Sequence, residues 1–574
     1  MADGAGGAVM RASFWDRYGN ARVSRRRLIG AAGVGGLAAG AVALAGCGRS
    51  SADAKPTQRA QQGAANKPDI LNPGDTPRRG GTLYSANSAA FGTFDPHTGV
   101  QVASAYFPRV YNLLLSQSAT KPEFILMDLA TAYENPDETT YVFHIRQGVR
   151  VAPNDLGVPE RDLDGDDVRV TLERLRTDAA TNQYSFANKF IASVDVDGDT
   201  VTVRTTEPYA WFIPRISSFF GTIPPRELLM GDLSRMSAKT AGGGPFRLVS
   251  VTEGDLARFT RNPNYYRRDD EHGGEQLPYV DNLEVRVIFD RATQRTAFRS
   301  GQIDLYWAEN SREVAEYGDL PVAREPVFNY ISITMNAERR PFQDPRVRRA
   351  ISRAIDRQQY IDIVYGGDAK PNGIVHWPLG SYALPQDELA STYQPYDPAD
   401  ARALIDAVGG IRIKMNFPAN TTIQEHGQIL PIFVQQMERA GIHVEQQPLE
   451  FTNWVSQYHD RDYDSSLALN QIYETPELPL LFHTTSGPFG DGTYIKGLGD
   501  AEIDAAVKKA NTTIDLDARR EAVLAAQKLI YAKDPMFLPL VGPYQNWVYQ
   551  RRVRNVPVNI GSTAFSLSTW WLDG

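Results

Sequence analysis

The only cysteine of this 574-residue chain ends a short apolar stretch near the N-terminus, SRRRLIGAAGVGGLAAGAVALAGC, which runs from Ser24 to Cys47. Its apolar part, residues 28–45, is about long enough to span a bilayer. The several glycines within it weaken both helix formation and hydrophobicity. The composition therefore favours an export segment that is cleaved off, and an uncleaved N-terminal anchor helix is the alternative.

Both ends of this stretch carry further signals. Arg25 and Arg26 stand before the apolar run and resemble the paired arginines of a twin-arginine export signal. The closing letters LAGC resemble a bacterial lipobox, in which the thiol of Cys47 is acylated and becomes the new N-terminus. We predict a signal peptide over residues 1–46. We also predict a flexible tether over 47–79, where Ala, Gln, Ser, Asn and Pro dominate.

The single cysteine removes several kinds of chemistry from the mature chain. With Cys47 committed to lipid, no thiol is left for a nucleophile, a redox pair or a zinc ligand. The histidines are not spaced for a metal-binding helix, and neither GxSxG nor GxxxxGK occurs. The formal net charge of −8 argues against nucleic acid and anionic lipid as partners. The sequence thus shows none of these catalytic or metal-binding motifs, and we expect no metal and no cofactor.

One acidic run needs a separate comparison. DLDGDDVRVTLE places three aspartates and Glu173 at positions 1, 3, 5 and 12 of a calcium-loop pattern. Position 6 of that pattern is a glycine that allows a sharp turn, and here it is Asp167. We therefore favour a turn in which Asp167 caps a helix and Glu173 faces solvent.

Strands and helices alternate along the rest of the chain. TTYVFHIRQGV predicts a strand with Tyr141, Phe143 and Ile145 on its buried face, and SVDVDGDTVTVRT predicts a hairpin that turns at Asp197-Gly198. Mixed helices and strands without long repeats indicate an α/β protein with more than one lobe.

One long helix is predicted in DPRVRRAISRAIDRQQYIDIVYGG. Asp344 suits its N-cap, Pro345 suits its first position, and Gly366-Gly367 closes it. A second helix ends at Gly441 and is followed by a strand over IHVEQQPLE. AEIDAAVKKA and DLDARREAVLAAQKLIYA predict two more helices.

An ordered series of blocks resembles one known family. The blocks are GGTLYSANSAAFGTFDPHTG, LATAYENPDETTYVFHIRQGVR followed by DDVRVTLERL, GGGPFRLVS, RNPNYY, GQIDL, FQDPRVRRAISRAIDRQQYIDIVYGG and YDPADARALI. In this order they resemble the solute-binding lipoproteins of the oligopeptide, dipeptide and nickel class of ABC importers, family 5. The resemblance implies an α/β fold of the two-lobed, periplasmic-binding-protein-like clam type (class II) with an extra third domain.

The matching blocks also imply domain boundaries. Lobe I would use residues 80–109, 241–325 and 546–574, the extra domain II 110–240, and lobe III 326–545. The implied function is a lipid-anchored, extracytoplasmic monomer that captures a peptide-like solute between its lobes and delivers it to an ABC permease in the cytoplasmic membrane. A protein that works by lobe closure needs no catalytic residues, so we expect no enzyme activity.

The resemblance places candidate ligand contacts in lobe III. In peptide-binding relatives, the segment that matches LALNQIYETPELP supplies an aspartate to the α-ammonium group of the ligand, and Glu474 falls at that place. Asn470 and Tyr473 belong to the same segment. Asn420 lies in MNFPANTTIQEH, which lacks the arginine that dipeptide binders use for the carboxylate of the ligand. Alternatively, Glu474 forms a salt bridge within lobe III and never contacts ligand.

The remaining candidates come from other parts of the resemblance. Asn87 and Phe94 follow the first strand, where the family wall touches ligand, and either residue suits a turn or the core equally well. Trp377 lies in IVHWPLG, which resembles a cleft segment. Trp454 in FTNWVSQY is better explained as a packing residue on a helix.

Several ligand classes and roles stay open. Within the same fold, the ligand could be an oligosaccharide, an opine or a metal chelate, and the protein could report its ligand to a signalling partner. A secreted enzyme is the alternative from another class. An acidic Glu474 without a matching arginine favours a longer peptide or a cationic amide over a free dipeptide.

Overall fold

The computed structural model describes residues 75–88, 90–98, 106–117, 125–181, 184–218, 221–270, 272–326, 329–419, 424–471, 475–487, 495, 497–556 and 567–573. Within these ranges, no helix is both long and apolar enough to cross a membrane. The predicted signal peptide, with Arg25 and Arg26, and Cys47 lie outside the described residues. For the described residues we keep the names lobe I, extra domain and lobe III, with the ranges given above.

Short strands and helices follow one another along the described chain. The strands are β1 (Thr82–Asn87), β2 (Asn112–Leu113), β3 (Leu115–Gln117), β4 (Ile125–Met127), β5 (Ala130–Asp137), β6 (Thr140–Ile145), β7 (Ile191–Asp197), β8 (Thr200–Thr205), β9 (Thr222–Ile223), β10 (Phe246–Thr252), β11 (Leu256–Arg261), β12 (Arg268–Asp269), β13 (Glu275–Gln276), β14 (Asn282–Val287), β15 (Leu305–Ala308), β16 (Val322–Pro326), β17 (Asn329–Met335), β18 (Ala369–Pro371), β19 (Ile411–Pro418), β20 (Ile442–Leu449), β21 (Ser465–Gln471), β22 (Phe537–Pro539), β23 (Val541–Tyr549), β24 (Val553–Arg554) and β25 (Trp571–Leu572). The α-helices are α1 (Phe107–Val110), α2 (Gly165–Thr177), α3 (Tyr184–Phe190), α4 (Phe212–Ile216), α5 (Arg226–Leu229), α6 (Arg291–Arg299), α7 (Ser311–Ala315), α8 (Pro345–Ala354), α9 (Arg357–Ile363), α10 (Gln386–Glu388), α11 (Pro398–Asp406), α12 (Gln424–Arg439), α13 (Phe451–His459), α14 (Glu477–Leu481), α15 (Ala501–Thr512) and α16 (Leu516–Ala532). Leu233–Ser237 and Trp377–Tyr382 form 3₁₀ turns, and Leu389–Tyr393 forms a π-helical turn.

The described residues of lobe I form two larger sheets, beside the short two-stranded pairs β12-β13 and β24-β25. The first has the strand order β1-β14-β11-β10, and β1 runs parallel to β14 with Asn87 opposite Val287. The second has the order β15-β23-β16, so a strand near the end of the chain lies between two earlier ones. The predicted boundary between residues 545 and 546 falls inside β23.

The extra domain is built on an antiparallel sheet of order β5-β6-β8-β7. Tyr141, Phe143 and Ile145 are buried and alternate with more exposed neighbours, which confirms the predicted inward face of β6. The β7–β8 hairpin turns directly after Asp197, and Gly198 has a φ of 58°, a value that glycine adopts without strain. The hairpin prediction is confirmed.

The cap of α2 differs from the prediction. Asp164, not Asp167, is the N-cap, and its side chain accepts hydrogen bonds from the backbone N–H groups of residues 166 and 167. The Asp167 carboxylate accepts from the backbone N–H of Asp164 in return, which completes a capping box. Arg161 pairs with Asp167 at 2.7 Å, so this fully buried carboxylate is neutralised by protein. Glu173 is half-buried and pairs with Arg176 at 2.6 Å.

The sheet of lobe III has the order β20-β19-β21-β17-β22. α12 ends just before Gly441, which has a φ of 78°, and β20 follows, as predicted. The prediction of one long helix after Asp344 is wrong in one respect, because the structure has two helices there, α8 and α9. Asp356 caps α9 by accepting from the backbone N–H of Gln359, which ends α8 at Ala354.

Lobes I and III are joined by two crossings of the chain. The first leads from β16 to β17 and the second from β22 to β23. Lobe III has its own core between its sheet and helices, with residues such as Ile333, Ile351 and Phe433. The largest core cluster combines lobe I and the extra domain with side chains of α15 and α16, so these two helices pack against the extra domain.

Candidate functional site

Two neighbouring strands of lobe III end at the same edge of their sheet. β19 and β21 run parallel, with Asn416 opposite Ser466. The chain leaves β19 after Pro418 and leaves β21 after Gln471, so both connections begin at the carboxyl edge. In open α/β sheets, ligands bind outside the carboxyl ends of the strands. This edge is therefore the candidate ligand site on lobe III.

The edge lies beside the first crossing between the lobes. β17 begins at Asn329, which lies opposite Gln471, and Tyr330 lies opposite Asn470. β16 of lobe I ends at Pro326, a short step earlier in the chain. The end of β21 is therefore close to the first crossing between lobes I and III.

The predicted contacts of lobe III belong to the two connections at this edge. Asn470 is part of β21, and its backbone position is given by the pairing with Tyr330. Asn420 follows Ala419, the last described residue after β19. Tyr473 and Glu474 come shortly after the end of β21 in sequence. These three residues lie outside the described residues, so their roles stay predictions.

Two buried polar residues at this edge were missed by the sequence reasoning. Asn416 is 2% exposed, and its Oδ1 has no hydrogen-bond partner within the described ranges. Thr475 is also 2% exposed, and the same holds for its Oγ1. Buried polar atoms are costly unless a partner meets them. The one sequence signal for both residues is that each lies close to a predicted contact.

Trp454 packs beside the pair of Asn416 and Ser466 on β19 and β21. It is 2% exposed on α13, stacks on Tyr458 with ring centroids 5.2 Å apart, and donates from Nε1 to Ser466 Oγ at 3.0 Å. The predicted packing role of Trp454 is confirmed.

On lobe I, Asn87 occupies the corresponding edge. It ends β1 at the carboxyl end of the parallel β1–β14 pair, and its backbone oxygen accepts from Ile288 N at 2.8 Å. The residue is 4% exposed. Its position fits the predicted wall of a cleft, and its role toward ligand stays a prediction.

Phe94 and Trp377 lie in different surroundings. Phe94 is fully buried in the core of lobe I and the extra domain, where it stacks on Phe91 at 6.3 Å. Trp377 is half-buried and donates from Nε1 to the backbone oxygen of Gly542 at 3.0 Å, and its ring lies 4.9 Å from that of Tyr544. Trp377 therefore ties a turn of lobe III to β23, the strand after the second crossing.

Two buried histidines of lobe III, His376 and His483, are neutral at neutral pH. Burial lowers the pKa of His483 to about 3 and that of His376 well below its usual value. Within the described part of the chain, no group of three His, Cys, Asp or Glu side chains could hold a metal ion. The arrangement at the edge is suited to hydrogen bonding a solute.

Two α/β lobes joined by two crossings, with a polar sheet edge beside the joint, define the class of bilobal solute-binding proteins. The family model of bacterial extracellular solute-binding proteins, family 5, matches residues 125–491. This chain belongs to that family, whose members are extracytoplasmic binding proteins.

Individual proteins support the same assignment. The chain is 24% identical over 494 residues to di/tripeptide-binding protein 2 of Pseudomonas aeruginosa, which covers 80% of this chain and 90% of that one. Among solved structures, the periplasmic binding protein DppA of Helicobacter pylori in complex with the peptide STSA superposes with a TM-score of 0.69 at 21% identity, over 87% of this chain and 99% of that chain. NikA of Brucella suis in complex with Fe(III)-EDTA gives a TM-score of 0.72 at 20% identity, over 86% and 100%. The predicted fold, a two-lobed α/β binding protein with an extra domain, is thereby confirmed.

Proposed function

We propose that this protein is a lipid-anchored receptor that captures a peptide-like solute between lobes I and III and delivers it to an ABC permease in the cytoplasmic membrane. It acts as a monomer and catalyses no reaction. The observation that carries the proposal is the parallel register of β19 and β21, with Asn416 opposite Ser466. In this register the chain leaves both strands toward the same edge of the sheet, next to the crossing between the lobes, and the two connections bear Asn420 and Glu474.

The charge of the candidate contacts supports a solute with a cationic group. A buried carboxylate at Glu474 is costly unless a cation or several donors meet it. The stretch MNFPANTTIQEH offers no arginine for a carboxylate at the other end of the solute. The name of the Pseudomonas aeruginosa relative, a di/tripeptide-binding protein, supports a peptide. A longer peptide or a cationic amide therefore fits better than a free dipeptide.

The N-terminal signals support the proposed location. Arg25 and Arg26 direct export, and Cys47 carries the lipid that holds the mature chain at the outer side of the cytoplasmic membrane. One acyl chain gives only marginal membrane binding, and two or more give stable anchoring. The acylated Cys47 then keeps the binding protein close to its permease.

Native mass spectrometry tests the proposed ligand class. The protein is purified without denaturation, and the mass that it retains is measured before and after unfolding. We expect a released peptide or amide with a free amino group. A released oligosaccharide, opine or metal chelate would overturn the peptide assignment and leave the binding role in place. Copurification with a receptor kinase instead of a permease would overturn the transport role.

A further inference from the structure

One arginine in the core of lobe III has most of its hydrogen-bond donors unpaired. Arg357 lies in the first turn of α9 and is 5% exposed. Its Nε donates to the backbone oxygen of Pro539, the last residue of β22, at 3.3 Å. Its Nη1 and Nη2 are buried as well, and neither has a hydrogen-bond partner among the residues that the structure describes.

Arg357 keeps its positive charge in this place. Burial lowers the pKa of Arg357 to about 10, which is still well above neutral pH. The groups close enough for their charges to act on it are Tyr531 and Tyr360, and no described carboxylate is among them. Both phenols are neutral at neutral pH, because burial raises the pKa of each, to about 12 for Tyr531. A buried cation is costly without a counter-charge.

A neighbouring arginine shows how this chain satisfies a buried guanidinium by itself. Arg348 on α8 is also 5% exposed, and the carboxylates of Asp534 and Asp344 act on its charge. All three of its nitrogens donate to backbone oxygens at 2.7–3.2 Å, namely those of Asp534, Phe342, Gln343 and Lys533. Arg357 has one such bond and no described carboxylate, so its remaining donors are suited to a partner that the chain does not supply.

A further donor lies beside Arg357. Tyr531 on α16 is 8% exposed, and its hydroxyl accepts from the backbone N–H of Ile374 at 3.2 Å and from Gln394 Nε2 at 2.8 Å. Since the oxygen accepts both of these hydrogen bonds, the O–H of Tyr531 is left to donate, and it donates to no described atom. Arg357 and Tyr531 together therefore offer several donors in a closed part of the core.

We propose that lobe III binds a small monovalent anion of the chloride class at Arg357, between α9, β22 and α16. The guanidinium donates to the anion from Nη1 and Nη2, and the hydroxyl of Tyr531 donates from the other side. A single positive charge matches one negative charge, which favours chloride over sulfate or phosphate. The core setting, in which Tyr360 is 0% exposed, favours a single-atom ion. This site goes beyond the proposed function and does not rest on it.

A buried water is the alternative partner of the guanidinium. Gln394 Oε1 has no described hydrogen-bond partner either, and a water could accept from Arg357 and donate to this oxygen. A water would make the stability of lobe III independent of the kind of salt, whereas an anion site makes it depend on chloride. The two partners therefore differ in what a change of salt does.

Hydrogen–deuterium exchange of the purified full-length protein tests the proposal with chloride as the probe. Exchange is followed in peptides that cover α9 and β22, in sodium chloride and in sodium gluconate of equal ionic strength, so that charge screening is the same. An anion that binds only the folded state slows exchange. We expect exchange to slow about tenfold for each tenfold rise in chloride above its dissociation constant. Peptides that cover β5 and β6 should not respond.

Variants locate the chloride effect. Arg357→Met removes the charge and keeps an unbranched side chain, so it should abolish the chloride dependence. Arg357→Lys keeps a positive charge and should retain part of it. Arg349→Met is the matched control, because Arg349 is an exposed arginine on α8 that pairs with Asp534. It should keep the full chloride dependence, whereas general attraction of anions to the surface would be weakened by this change.

Crystals of the wild-type protein grown with sodium bromide show the ion directly, because bromide scatters anomalously. We expect a bromide peak within hydrogen-bond distance of Nη1 or Nη2 of Arg357. Equal exchange in chloride and gluconate would overturn the proposal, and a bromide peak without a chloride effect would then mean an adventitious ion only. A chloride effect that persists in Arg357→Met would overturn the location. If Arg357→Met fails to fold, Arg357→Lys and the bromide peak decide.

Discussion

His97 is buried where lobe I meets the extra domain, and its surroundings keep it neutral. Nε2 donates to the backbone oxygen of Thr222 at 2.9 Å, and Nδ1 faces the guanidinium of Arg174 at 3.2 Å. Arg174 also pairs with Asp95 at 2.7 Å. Burial, followed by the charge of Arg174, lowers the pKa of His97 to about 4. A proton on Nδ1 would therefore break this junction.

The stability of the protein should fall in mild acid, partly because of His97. The unfolded chain binds a proton at His97 below about pH 6.5, and the folded chain does so only near pH 4, so stability is lost as the pH drops through this window. Urea unfolding measures the free energy of unfolding at about pH 7.5 and at about pH 4.5. The decrease between these two pH values should be smaller by roughly 2–3 kcal/mol in His97→Gln than in wild type. An equal loss in both proteins would contradict this assignment.

At the residue scale, the sequence predicts the chemical role of a side chain better than it predicts how deeply that side chain is buried. The packing role of Trp454 follows from its place on a helix, and the candidate contact Glu474 follows from a family segment. Asn416 and Thr475 could not be recognised in advance, because their burial depends on strands that are brought together by the whole sheet. For the same reason, the sequence alone could not separate a core role for Phe94 from a cleft role.

At the scale of elements, the turn at Trp377 depends on a glycine in β23. Gly542 accepts the hydrogen bond of the Trp377 indole, and a Cβ on this glycine would clash with Nε1 and lie 2.9 Å from Cδ1. Gly542→Ala should therefore displace the indole and lower the free energy of unfolding by about 1–3 kcal/mol, as measured by urea unfolding.

A second glycine provides the control. Gly427 lies in α12, and a Cβ there comes within 4 Å of no described atom beyond its chain neighbours and the backbone of its own helix. Gly427→Ala should leave stability unchanged or raise it by up to about 1 kcal/mol, because alanine is the better helix former. A Gly542→Ala variant as stable as Gly427→Ala would show that the Trp377 indole does not require a glycine at position 542.

Elements with strong local signals could be predicted, and long-range pairings could not. The alternation in β6 and the cap at Asp344 follow from neighbouring residues alone. The division between α8 and α9 was missed because the apolar spacing continues past Asp356, whose capping of a new helix overrides it. The placement of β23 between β15 and β16 has no local signal at all.

At the scale of the whole molecule, lobe III is linked to the rest of the fold by chain crossings and, separately, by a side-chain contact. Two crossings connect lobes I and III, and the extra domain reaches lobe III through the segment 209–215, where Tyr209 donates to Glu477 and Trp211 donates to Asn511. The family blocks were enough to predict the two lobes and the extra domain. They gave no indication of this last contact, because its residues lie far apart in sequence and, of those residues, only Glu477 lies in a matching segment.

The proposed anchor leads to a prediction for the complete protein. Cys47→Ala removes the thiol that would carry lipid, so the variant should stay uncleaved at this site and take up no labelled fatty acid. Membrane fractionation after metabolic labelling measures both effects. Lipid incorporation by Cys47→Ala would show that the LAGC sequence is not the lipidation site.

Calorimetric titration with the solute identified by native mass spectrometry tests the central claim, capture of an amine-bearing solute at the edge of lobe III. Removing one partner of a buried charge pair costs about 3–5 kcal/mol, so Glu474→Gln should bind roughly a hundred- to several-thousandfold more weakly than wild type. The exposed control Glu521→Gln should bind as wild type does. Equal affinities of wild type and Glu474→Gln would contradict the account.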